Sequence, residues 1–193
     1  MLVPPTVSAT VLTVLALRSA SGSIARDCAL WLVAVLCTGG LQIGYVLALR
    51  ARRRVTAWDV PERLERTRPY LISVAVSTAG FITLVVLEAP LAFRLLLWCF
   101  SVNTLILVAI NLRWKISAHM MGFTGPLLFL LPVSWELLVA LAMLAVALGW
   151  ARISLHAHTP AQVFAGGAAG IFLVGLQLFL VDAYGWILPV LFR

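Results

Sequence analysis

Apolar stretches of roughly 17–25 residues recur along this chain, the length an α-helix needs to cross a hydrocarbon layer of about 30 Å. Only helices and closed barrels satisfy all their backbone groups inside lipid. The runs here are continuous and do not alternate, which excludes an outer-membrane barrel. Composition agrees: the chain is 63% hydrophobic and 11% charged, against about 25% charged in a soluble domain. The sequence therefore predicts an all-α, polytopic transmembrane helix bundle of six to seven spans. It reads as a single domain over residues 1–193.

The expected spans run from about Pro4 to Leu17, Cys28 to Leu49, Tyr70 to Leu87, Leu91 to Leu112, Met120 to Leu131, Trp135 to Gly149 and Ala161 to Asp182. A half-buried tail to Arg193 is expected after the last. The fifth and sixth are short, so the count is six or seven. Cys28, Cys37 and Cys99 fall inside spans without metal-ligand spacing and are read as small buried apolar residues. Gly39, Gly40 and Gly44 in the second span, and Gly166, Gly167 and Gly170 in the last, suggest close helix packing. The first run has no basic segment before it and no small-residue cleavage site after it, so it is expected to stay as a span.

Three polar islands interrupt the apolar runs. They are the arginine-rich segment 50–69, RWKISAH at 113–119, and WARISLHAHTPAQVFAG at 150–166. Two spans separate each island from the next, so all three should emerge on one membrane face. Trp58, Trp114 and Trp150 lie in or beside them, as interface anchors do. That face carries Arg50, Arg52, Arg53, Arg54, Arg63, Arg66, Arg68, Arg113, Lys115 and Arg152, whereas the other has little beyond Arg18, Arg26 and Arg94. Lys and Arg favour cytoplasmic loops, so a cytoplasmic site is expected. The net charge of +7 follows this topology. No nucleic-acid motif accompanies it, so nucleic acid is not an expected partner.

Together the islands offer His119, His156, His158, Lys115, Arg152, several loop arginines and Ser117, but few carboxylates. Such an inventory suits an anion. Guanidinium matches phosphate oxygens bidentately, and lysine adds a compact charge. One histidine can serve as nucleophile and another as general acid. A hard divalent metal would need several oxygen ligands, and only Asp59, Glu62 and Glu65 are near. No metal and no cofactor are expected.

The segment Arg152-x5-His158-x3-Gln162, running on to Val163 and Gly166, resembles the third signature of the type 2 phosphatidic acid phosphatase superfamily, arginine-x5-histidine-x3-aspartate. Ser117-Ala118-His119 resembles its second signature, and the segment ending Arg68-Pro69 its first. The resemblance covers about Trp58 to Gly170. It implies metal-independent hydrolysis of a phosphomonoester or diphosphate. His158 would attack phosphorus to form a phosphohistidine, and His119 would protonate the leaving alkoxide. Arg152, Ser117 and Arg68 would hold the phosphoryl oxygens. Pro61 stands where the family's first lysine would fall, so Arg63, Arg66 or Lys115 is expected to supply that charge. Gln162 stands where the family has the aspartate that orients the nucleophilic histidine. An amide oxygen can fix the tautomer but does not stabilise an imidazolium as a carboxylate does.

His156 has no role in that pattern and reads as a bystander. Glu88, Glu136 and Asp182 lie near span ends and read as solvated. The expected partners are a lipid phosphate substrate, polyprenyl or phosphatidic-acid-like, and the surrounding membrane lipids. A homo-oligomer or membrane complex stays open. The alternative is a catalytically reduced member that binds an anionic lipid or packs as a subunit in a membrane complex. The expected location is a prokaryotic inner membrane, with the site facing the cytoplasm.

Overall fold

The computed structural model describes residues 3–19, 22–51 and 67–183, and every regular element among them is helical. Helix α1 is Val3–Arg18. Helix α2, Ile24–Val35, runs through a π turn, Leu36–Gly40, directly into α3, Leu41–Ala51. Then follow α4 (Thr67–Val86), α5 (Leu91–Asn111) and α6 (Ala118–Leu127), the last ending in a 3₁₀ turn at Leu128–Leu130. The final described helices are α7 (Trp135–Ser154) and α8 (Pro160–Ala183).

Five stretches are long and apolar enough to cross a membrane: Ile24–Ala48, Thr67–Val86, Leu91–Asn111, Trp135–Ser154 and Pro160–Asp182. Pro5–Arg18 and Ala118–Leu130 are apolar but shorter. The protein is a helical membrane bundle. Its outer face is as apolar as its core: Phe164, Val146 and Phe172 are exposed on α8 and α7, where lipid rather than water is the solvent. The sixth span is longer than the sequence reading allowed. Helix α7 continues through Trp150 to Ser154 because the aromatic ring suits the membrane interface and Arg152 complements the negative end of the helix dipole. Cys28 also departs from expectation, since it is exposed on the outside of α2. The tail beyond 183 lies outside the described residues.

Helix α5 is the central element, with Phe93, Leu96, Leu97 and Cys99 all buried. At the π turn before α3, two side chains reach the Cys37 carbonyl. Gln42 Nε2 donates to it at 2.9 Å and Ser77 Oγ at 3.4 Å. Gly39, inside that turn, lies against Pro5 of α1, so a Cβ there would collide with the proline ring. A Cβ on Gly44 would meet nothing within 4 Å, so the packing role expected of it is not its own.

The two ends of the bundle differ in how their turns are held. At one end, Arg18 Nη2 donates to the Val133 carbonyl at 3.3 Å. Arg26 Nη2 reaches Leu87 O and Glu88 O, both at 3.1 Å, which holds the α4–α5 turn. Glu88 sits there at φ 50°. These arginines satisfy turn carbonyls, which accounts for cations on the poorly charged face. At the other end, Tyr70, Ala118 and Ala165 pack on a buried cluster of Leu107, Ile116 and Met121. The start of α4, the start of α6 and the start of α8 therefore share one end of the bundle, as the spacing of the islands requires.

Helices α6 and α8 meet backbone to backbone. A Cβ on Gly166 would lie 2.5 Å from the Ser117 carbonyl oxygen, and one on Gly170 would lie 2.6 Å from Met121 O. Thr124 Oγ1 spans the gap and donates to Gly167 O at 2.9 Å. Gly166 and Gly170 are four apart on one helical face, the small-xxx-small spacing that lets membrane helices approach this closely. Gly166→Ala and Gly170→Ala should each destabilise the detergent-solubilised protein by about 1–3 kcal/mol, as overpacking does. Gly44→Ala should be neutral or slightly stabilising, because alanine favours helix by up to about 1 kcal/mol. Thermal unfolding of the three variants beside the parent checks the contrast.

Candidate functional site

The segment between α7 and α8 is built from two local motifs joined end to end. Helix α7 stops in a Schellman arrangement. His156 N–H donates to Ile153 O at 2.9 Å, and Ala157 N–H to Arg152 O at 3.1 Å. His156 occupies the left-handed position of this motif at φ 52°, where glycine is commonest. The same Arg152 carbonyl accepts the His158 N–H at 3.2 Å. The chain thus folds back on itself, and residues six apart become neighbours. This is the structural meaning of the Arg152-x5-His158 spacing.

Helix α8 then starts in a capping box, Thr159-Pro160-Ala161-Gln162. Gln162 N–H donates to Thr159 Oγ1 at 3.3 Å, and Thr159 N–H donates to Gln162 Oε1 at 3.2 Å. Each side chain satisfies an orphan donor of the other, and Pro160 takes the first helical position, where a missing N–H does no harm. The sequence T-P-A-Q carries this signature openly, yet the glutamine reads there only as a substitution for aspartate.

Gln162 does a second thing. His158 Nδ1 lies 3.1 Å from the same Oε1. Because that atom already accepts from a backbone N–H, it is the oxygen of the amide and not the nitrogen. His158 must therefore be the donor. Its neutral ring carries the proton on Nδ1 and the lone pair on Nε2. The ring is held in a site that leaves it 6% exposed. An amide thus sets the tautomer of His158 as the expected aspartate would, though without a negative charge.

Ser117 joins this group from α6. Its N–H donates to the Gln162 carbonyl at 3.2 Å, which seats the start of α6 against the first turn of α8. Ser117 is fully buried, and its Oγ caps α6 by accepting from Met120 N–H at 3.4 Å. Its expected phosphate contact is thus overlaid by a structural one. His119, two residues on, is half-buried in the first turn of α6. It lines a half-open cavity of about 230 Å³, whose walls do not include Arg152, His158 or Gln162. Arg152 is half-buried in the last turn of α7.

The structure therefore brings Arg152, His158, Gln162 and Ser117 together through direct hydrogen bonds, with His119 on the adjoining turn. Lys115 is half-buried in the connection before Ser117, and Arg68 is exposed in the first turn of α4. Neither is hydrogen-bonded to that group among the described residues. Arg63 and Arg66, with Trp58, Asp59, Glu62 and Glu65, lie outside the described residues. No three His, Cys, Asp or Glu side chains among the described residues converge as metal ligands. Glu136 is held by Ser134 Oγ at 3.2 Å, at the far end of α7. His156 is exposed and serves the backbone.

In comparisons with known proteins, no family model, no curated protein and no solved structure matches this chain.

Two substitutions separate the roles in this corner. Gln162→Glu keeps both acceptor bonds and adds a charge beside His158, so the fold should hold and the imidazole pKa should rise. Gln162→Leu removes the acceptor and should cost about 0.5–2 kcal/mol through the cap alone. NMR titration of His158 with thermal unfolding measures both. His156→Gly relieves a left-handed conformation costing roughly 1–2 kcal/mol and should raise the unfolding temperature.

Proposed function

We propose that this protein is a membrane phosphatase that hydrolyses a phosphomonoester or diphosphate of a lipid through a phosphohistidine. The observation that carries the reading is the double use of Gln162 Oε1, which leaves Nε2 of a buried histidine as the nucleophilic nitrogen. The starts of α6 and α8 meet beside it through Ser117 and Gln162, and helix N-termini favour anions. Arg152 stands one Schellman turn away.

In this reading His158 Nε2 attacks phosphorus in line with the lipid oxygen. The P–O bond to the lipid breaks as the P–N bond forms, and His119 gives its proton to the departing alkoxide. His119 then takes a proton from water, which attacks the phosphohistidine, releases phosphate and restores His158. Arg152 and a cation from Lys115, Arg68, Arg66 or Arg63 balance the charge on the equatorial oxygens. Phosphoryl transfer depends chiefly on such positioning and neutralisation. The basic loop supports a site on the cytoplasmic side of the membrane.

A second reading has a specific observation behind it. The capping box alone satisfies Gln162, so a reduced member that only binds an anionic lipid or serves a membrane complex would keep the same geometry. Phosphate release decides between them. The protein purified in detergent with EDTA is offered a panel of lipid mono- and diphosphates beside His158→Ala. Release well above the His158→Ala background, unchanged by chelator, is expected. Silence across the panel would overturn the phosphatase, and loss of release in EDTA would overturn its metal-independent chemistry.

A further inference from the structure

Polar side chains at membrane depth are costly, and each asks for a partner or a function. Gln42 on α3, Asn103 on α5 and Gln177 on α8 all lie inside spans. Gln42 and Asn103 line the half-open cavity that His119 also lines. Their bonding fixes which amide atom is which. Gln42 Nε2 donates to Cys37 O at 2.9 Å, and a carbonyl only accepts, so the other atom of that amide is its oxygen. This Oε1 is buried and has no hydrogen-bond partner among the described residues. Gln177 Nε2 is fixed in the same way by Leu173 O at 2.9 Å, and it donates to Asn103 at 2.8 Å. The accepting atom of Asn103 is therefore its oxygen, which leaves Nδ2 as its donor. The cavity wall thus holds one amide acceptor in need of a hydrogen and one amide that has hydrogens to give.

The rest of the wall narrows the chemistry. None of the described residues that line it is Asp, Glu, Lys or Arg, so an ionic head group would find no fixed counter-charge there and would bear a heavy desolvation cost. Leu96, Phe100 and Phe129 make much of the surface apolar, as in ligand sites generally. Thr38 and Gly39 of the π turn form part of it, and π turns recur at functional sites. A plain hydrocarbon would leave Gln42 Oε1 unpaired, which is unfavourable for a buried acceptor. A hydroxyl is the smallest group that both gives a hydrogen to Gln42 and takes one from Asn103. We propose that this cavity binds the hydroxyl end of an uncharged lipid alcohol. Under the phosphatase reading such an alcohol is what a phosphomonoester yields once His119 protonates the departing oxygen, but the binding itself does not rest on that reading.

Dodecanol, dodecyl methyl ether and dodecane are compared at equal mole fraction with the whole chain in an amine-oxide detergent, which has no hydroxyl of its own. Thermal unfolding reads binding. The ether keeps the chain and the accepting oxygen but has no hydrogen for Gln42. Dodecanol should reach half of its stabilising effect at a mole fraction about tenfold below that of the ether, with dodecane the weakest of the three. Gln42→Met removes the acceptor and should bring dodecanol to the level of the ether. Asn103→Leu removes the donor and should weaken dodecanol and the ether alike, with the gap between them kept. The unfolding transition of each variant reports its fold, and the Asn103→Leu pattern decides where Gln42→Met does not fold. Equal potency of alcohol and ether, which a cavity holding only water also predicts, overturns the site, and so does a gap that Gln42→Met leaves intact. Phosphate release without alcohol selectivity would overturn this site and leave the phosphatase standing. Alcohol selectivity without release would keep the site and remove the phosphatase.

Discussion

The contact on which the site depends is the meeting of α6 and α8, backbone against backbone. In lipid, helices gain little from hiding apolar surface, so association rests on close packing and on hydrogen bonds between helices. Gly166 and Gly170 remove the side chains that would hold the helices apart, and Thr124 closes the gap with a bond to Gly167 O. Ser117 can reach the Gln162 carbonyl only because the helices are this near. The expected acid and nucleophile, His119 and His158, come from segments about forty residues apart, and this packing is what puts their helix starts side by side.

The second dependence is local. Between α7 and α8 the backbone has few residues in which to reverse, and it uses all of them. The Schellman exit spends the Arg152 carbonyl on Ala157 and His158, and the capping box starts the next helix at once. A side chain carried by so tight a corner has little freedom. If the proposed reaction is the one it serves, this geometry pre-positions His158 before the chemical step. His156 shows the other side of the same economy. It accepts a left-handed backbone so that its neighbours can take their places.

Much of the bundle was legible because hydropathy over a span-length window is a strong signal, and the parity of the islands placed them on one end. What escaped the sequence was of three kinds. The extension of α7 past Gly149 was hidden because Trp150 and Arg152 look like a loop when polarity alone is read, although both suit the last turn of a membrane helix. The π turn at Leu36–Gly40 left no signal, since it answers to Pro5 on another helix. The cavity joins side chains from α3, α4, α5 and α6, each an ordinary residue in its own run. In the site, the grouping of Arg152, His158 and Gln162 was readable from spacing. The complete burial of Ser117 was not, because it depends on how closely α8 approaches at Gly166.

Gln162 is where fold and chemistry meet, and its length matters to both. In a capping box the third helical residue must reach back to the N-cap N–H, which glutamine and glutamate do. The aspartate of the signature that this segment resembles is one methylene shorter. Here the same oxygen reaches Thr159 N–H at 3.2 Å and His158 Nδ1 at 3.1 Å. The amide therefore holds the corner and orients the ring with one atom. It gives up only the negative charge that would stabilise a positively charged imidazole. On the proposed reading that omission has a compensation. A carboxylate at this point would attract any cation that holds the phosphate, whereas a neutral amide would leave such a cation to the substrate. The phosphate itself would then supply the charge that steadies the ring as the P–N bond forms.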